Sequence, residues 1–204
     1  MTPYKIISII LHPIFMPLIV LHLMFKSISA ITFSISEQLP FIYLIIGLCT
    51  IVFPIISTLF LIIKGDVSSL EMSNNKERSK PLFFGLVFML IGYYLLTNIF
   101  TYSHEIKPIY LGALLIITLS IIISKKWKIS LHLLGIGGAV GVFLYLQQIY
   151  GGMLQIVLLF IILSGFLAYA RLKEGAHNHE QVYAGFFLGI VTEYLFLFLY
   201  FTDF

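Results

Sequence analysis

The sequence predicts an all-α, polytopic membrane protein, a helical bundle with about seven transmembrane helices. Three observations carry that expectation. Of 204 residues, 60% are hydrophobic and only 10% charged, far below the roughly one quarter found in soluble domains. The mean hydropathy is +1.04. The apolar residues also gather into seven runs, 6–25, 41–63, 82–102, 108–124, 129–150, 153–170 and 182–201, each close to the about 20 residues that a membrane helix requires. No connection could hold a second soluble domain, so residues 1–204 read as one integral membrane domain, with the chemistry-bearing core in about 64–204.

In the first run, His12-Pro13 and Pro17 predict a kinked or broken helix, because the prolines remove backbone donors. His12 and His22 suit buried hydrogen-bonding roles better than ligand roles, and the run reads as a retained span rather than a cleaved leader. Residues 27–40 form a Ser-rich connector with one acid, Glu37, and no evident chemistry. The second run holds the single cysteine, Cys49, which excludes an intrachain disulfide. Residues 64–81 are the most charged stretch, with Lys76, Arg78 and Lys80 inside five residues and Pro81 placed to open the third helix. By itself this stretch reads as a solvated, positive-inside loop. The third and fourth runs form a hairpin through SHEIKP, where Pro108 starts the return helix and His104 and Glu105 read as interfacial residues.

After KKWK, an interfacial anchor, Ser130 and His132 stand at the start of the fifth run. Gly137-x-x-x-Gly141 there, and Gly185-x-x-x-Gly189 in the seventh, permit close helix approach. That packing would bring His132 near His177. The stretch Ala170–Gly189 concentrates Arg171, Lys173, Glu174, His177, His179, Glu180 and Gln181 at the mouth of the last span, and such groups are costly in a membrane and usually kept for function. His177, Gln181, Gly185 and Gly189 follow at four-residue steps, so one helix face is polar at its start and flat below. An imidazole at the helix entrance, with a guanidinium six residues upstream, suggests an anion site around a tuned histidine. With seven spans, the loops after the second, fourth and sixth share one side, so Arg78 with its lysines, Ser130 with His132, and Arg171 with His177 can converge.

These residues resemble the type 2 phosphatidic acid phosphatase (lipid phosphate phosphatase) superfamily, as a divergent member. Its third motif, S-R-x5-H-x3-D followed by V-x-x-G-x-x-x-G, is matched by Arg171, His177, Val182, Gly185 and Gly189, with Ala170 for the serine and Gln181 for the aspartate. Its second motif, P-S-G-H, is represented by Ile129-Ser130-Leu131-His132. Of the first, K-x6-R-P, only Arg78 and Lys80-Pro81 lie in place. The resemblance covers about 120 residues, from Lys76 to the end of the seventh run.

The resemblance implies a membrane phosphatase acting on a lipid phosphate or diphosphate monoester, phosphatidic acid-like or polyprenyl, without a cofactor or metal. His177 would form a phosphohistidine, His132 would protonate the leaving alkoxide, and Arg171, Arg78, Lys80 and Ser130 would hold the phosphate oxygens. Gln181 would sit behind the nucleophile in place of a carboxylate, with Glu180 or Glu174 as other sources of charge. The alternative is a non-catalytic lipid-phosphate binder or transporter on the same bundle. His177 and His179 also permit a metal reading, but no carboxylate or cysteine cluster completes a ligand set. No nucleic-acid motif is evident, and the expected partners are lipid substrate and membrane lipids. Ten of the twelve Lys and Arg residues fall on the motif side, which favours a cytoplasmic site by the positive-inside rule, in a bacterial inner membrane. Relatives such as glucose-6-phosphatase, which face the lumen, argue for the opposite side.

Overall fold

Hydrocarbon offers no hydrogen-bond partners, so a spanning chain must satisfy its own backbone, and every element among the described residues is a helix. The computed structural model describes residues 2–70, 75–99 and 105–202, the side chains of Asn75, Lys76 and Ile99 excepted. His104 lies outside these. Seven stretches are long and apolar enough to cross a membrane: Pro3–Ser27, Leu39–Ile63, Glu77–Asn98, Ile106–Ser124, Leu131–Tyr150, Leu154–Lys173 and His179–Thr202. The chain is an integral multi-pass membrane protein of the all-α class.

The first span is broken where the prolines require it, into α1 (Pro3–Ile10), a 3-10 turn (Pro13–Phe15) and α2 (Met16–Ser27). His12 caps the turn, its Nδ1 accepting from the Ile14 amide at 3.4 Å. The Ser-rich connector is not wholly irregular, since it contains the short helix α3 (Ser29–Ser34). The second span comprises α4 (Leu39–Gly47), a π-helical segment (Leu48–Val52) and α5 (Phe53–Ile63). Pro54, just beyond that segment, supplies no amide donor to it, a common cause of such bulges.

The third span departs from expectation. Helix α6 runs Asn75–Ile99 with Pro81 inside it, so the proline does not open the helix. The reason lies in the charged residues themselves. Glu77 accepts from the Ser68 amide at 3.0 Å and its hydroxyl at 2.8 Å. Arg78 is buried and donates from Nη1 to the Ile129 carbonyl at 3.0 Å. These ties wind the expected loop into helix, and the proline forfeits one bond near its start.

The remaining spans are α7 (Ile106–Ser124), α8 (Leu131–Tyr150), α9 (Leu154–Lys173) and α10 (His179–Thr202). Helix α8 lies at the centre, with Leu133, Ile136, Val140 and Phe143 buried, and α10 packs along it glycine to glycine. A Cβ at Gly185 would stand 2.7 Å from the Ser130 carbonyl oxygen, and one at Gly141 2.7 Å from that of Ile190. Both are far inside contact distance, so the expected small-residue seam sets the register of the pair. In that register the Ser130 amide donates to the Gln181 carbonyl at 3.2 Å, joining the starts of α8 and α10.

Candidate functional site

The five residues between α9 and α10 form a rigid turn with His177 inside it. Helix α9 ends with Gly175 at φ 64°, where the amides of Gly175 and Ala176 donate back to the carbonyls of Leu172 at 3.0 Å and Arg171 at 3.2 Å. This pair closes a Schellman motif, which glycine accommodates without strain. Helix α10 then opens with a capping box: Asn178 Oδ1 accepts from the Gln181 amide at 2.9 Å, and Gln181 Oε1 from the Asn178 amide at 3.4 Å. The chain is thereby fixed on both sides of the histidine.

His177 is 8% exposed. Its Nδ1 faces two oxygens, Gln181 Oε1 at 3.0 Å and the Lys128 carbonyl at 3.2 Å. Both only accept, so Nδ1 carries the proton and Nε2 keeps its lone pair. The His177 pKa is lowered from 6.5 to about 4, by burial first and then by Arg78, Arg171 and Lys128, against the Gln181 bond, which raises it. The imidazole is neutral at pH 7. Burial first, and then Arg78 and Arg171, also hold the Lys128 ammonium below the usual lysine range.

The polar clusters expected to share one side do meet. Arg171 acts electrostatically on Arg78, Lys128, His177, His132 and His12, and His132 and His177 act on each other. Three cations thus act on one neutral imidazole, and the N-termini of α8 and α10 add their partial positive charge. Ser130, fully buried, spends its hydroxyl as the cap of α8, accepting from the Leu133 amide at 3.5 Å. Lys80 does not join the cluster. Its ammonium pairs with Asp66 at 2.5 Å on the exposed surface, because residues 78 and 80 point to different faces of one helix.

The first span contributes what the sequence did not disclose. His132 Nε2 donates to the Ser8 carbonyl at 3.0 Å, and the Ser8 hydroxyl donates to Glu174 at 3.1 Å. Glu174 also pairs with Arg171 at 2.7 Å, so it serves the guanidinium rather than His177, and Glu180 is exposed. The His12 ring stands edge-on to His132 with centroids 4.9 Å apart. Lys128 was legible only as part of the KKWK anchor, and Ser8 and His12 carried no motif. Among the described residues, no group of three His, Cys, Asp or Glu side chains could hold a metal. Comparisons with protein-family models, curated proteins and solved structures find no match to this chain.

Proposed function

We propose that this protein is a membrane-embedded phosphatase that hydrolyses a lipid phosphate or diphosphate monoester, of phosphatidic acid or polyprenyl type, through a phosphohistidine at His177. The observation that carries this reading is the neutral His177 imidazole, its Nδ1 held by Gln181 and its Nε2 without a hydrogen-bond partner among the described residues, under the field of Arg78, Lys128 and Arg171. Phosphoryl transfer is catalysed mainly by positioning and charge stabilisation, which such a cluster of cations supplies. The motif resemblance of Arg171, His177, Ser130 and His132 points the same way.

In this mechanism the Nε2 lone pair attacks phosphorus, the P–N bond forms and the P–O bond to the lipid breaks. The departing alkoxide takes its proton from His132, which must first be charged to the imidazolium and exchange the Ser8 carbonyl for the leaving oxygen, and which is left neutral by the transfer. Water, giving that proton back to His132, then attacks phosphorus, and the P–N electrons return to His177 as phosphate leaves. A covalent intermediate divides one difficult displacement into two easier ones.

One observation favours a second reading, that of a lipid-phosphate binder. The Ser8 carbonyl and Glu174 already engage His132 and Arg171, and Gln181 adds no negative charge behind the imidazole. Incubating purified protein with phosphatidate, polyprenyl phosphate and polyprenyl diphosphate separates the two. The phosphatase reading requires phosphate release that His177→Ala and Arg171→Ala each abolish in folded protein, whereas retention of the lipids without release supports the binder. We place the site at the cytoplasmic face of a bacterial inner membrane, on the ten-to-two distribution of Lys and Arg.

A further inference from the structure

Far from this cluster, in the middle of α10, lies Glu193. It is 2% exposed, and neither carboxyl oxygen has a hydrogen-bond partner among the described residues. At 1.5 Å per residue it sits about 21 Å from the start of α10 and about 14 Å from its end, well within the hydrocarbon layer. Both neighbouring helices have glycine where the side chain passes. A Cβ at Gly141 of α8 would meet Glu193 Cβ at 3.0 Å, and one at Gly112 of α7 would meet Oε2 at 2.6 Å and collide with Oε1. The carboxyl is seated directly on the α7 backbone.

Among the described residues, no group compensates a charge there. Burial is what acts on Glu193, with no charged neighbour among the described residues. The titratable side chains on the packed helices make no hydrogen bond to it, and the Tyr110 hydroxyl itself has no hydrogen-bond partner among the described residues. Tyr194 donates to Gln148 at 2.8 Å, the Tyr145 ring stacks on Phe201, and the Tyr110 hydroxyl lies against Gly92 and Cys49. Metal ions are poorly suited to the seat, since a hard cation requires six or more oxygens and the carboxyl faces glycine backbone. A proton needs only the carboxyl itself.

A cavity approaches it. A cavity of about 300 Å³ opens at the bundle end opposite His177, with Glu105 and Gln148 among its lining residues. Ile109, Tyr145 and Leu197 also line it, and each stands three or four residues, one helical turn, from Gly112, Gly141 and Glu193 respectively. The cavity therefore ends about one turn from the carboxyl.

We propose that Glu193 is a proton-binding site within the membrane, loaded through this cavity from the face opposite the His177 cluster. An intramembrane acid without a partner is costly to keep, and a bound proton removes the charge while leaving the close α7, α8 and α10 packing intact. Release of that proton would place a charge in the seam that joins Ser130 to Gln181.

Dicyclohexylcarbodiimide tests the site, because it reacts with protonated carboxyls in apolar surroundings. The acid gives its proton to one reagent nitrogen, the carboxyl oxygen adds to the central carbon, and the adduct rearranges to a stable N-acylurea with nothing lost. In bilayers at neutral pH, one such adduct is expected on the peptide carrying Glu193 and none there in Glu193→Gln. Infrared spectra of the wild type should show a protonated-carboxyl C=O band that shifts in deuterated water and is missing from Glu193→Gln. Absence of that band from folded wild-type protein, or its persistence in the Gln variant, overturns the proposal. Ile109→Trp, which fills the cavity, should slow the deuterium shift severalfold, and an unchanged rate would refute the route.

Discussion

The Gln181 side-chain oxygen accepts from His177 Nδ1 at 3.0 Å and from the Asn178 amide at 3.4 Å, so one neutral acceptor orients the histidine and caps the last helix together. Gln181→Glu retains both bonds and adds an anion, which favours the imidazolium. The titration midpoint of His177 should rise from about 4 toward the ordinary histidine range, as read by NMR of labelled imidazole. Gln181→Ala removes cap and orienting bond, at a cost of about 1–2 kcal/mol in unfolding measurements. A midpoint unmoved in Gln181→Glu would mean that this oxygen does not govern the ring.

Stability should depend on pH through the same histidine. Its folded-state pKa, about 4, lies below the ordinary 6.5, so between those values the unfolded chain binds the proton more readily. The stabilisation is complete above about pH 6.5 and is lost as the pH falls toward 4, in total on the order of 3 kcal/mol. Thermal unfolding of wild type and His177→Gln across this window should converge at the acid end. If His177 is the nucleophile, the acid limb of the phosphatase profile should lie near pH 4 rather than 6.5, since only the neutral ring can attack.

Widening the α8–α10 seam should damage the site from a distance. A Cβ at Gly189 would stand 2.7 Å from the Gly138 nitrogen and collide with the Leu134 carbonyl. Gly189→Ala is expected to destabilise by about 1–3 kcal/mol and to weaken phosphate-dependent binding, although residue 189 is three turns below His177. Gly165→Ala, where a Cβ meets nothing within 4 Å, should be neutral in both measurements.

Seven spans place Lys126 and Ser36 on opposite sides, and both are exposed. With Cys49→Ser as background, Ser36→Cys should label with a membrane-impermeant thiol reagent on intact cells and Lys126→Cys should not, if the site is cytoplasmic. The reverse pattern would put the site outside, and labelling at both positions would break the seven-span topology.

The sequence by itself determined the class of the fold and the axis of the site. Apolar run length is a local property fixed by membrane thickness, so the spans could be read without tertiary information, as could the break at Pro13 and the glycine seam that aligns Ser130 with Gln181. Sidedness followed from the number of spans and brought Arg78, His132, Arg171 and His177 to one end. Only the tertiary structure decided which side chains complete that cluster. Ser8 and His12 reach it because α1 folds back over α9, and Glu174 is directed to Arg171 rather than to His177. Lys128 joins it because the chain enters α8 beneath the turn that holds His177. Lys80 leaves the cluster for Asp66 because the charged stretch winds into helix, a choice made by distant partners of Arg78 and Glu77 and not by residue type. Glu193 gave no sequence signal beyond being a carboxylate in an apolar run. Its isolation is visible only once Gly112 of one helix and Gly141 of another close around it, since burial without a partner is a property of three packed helices and not of one.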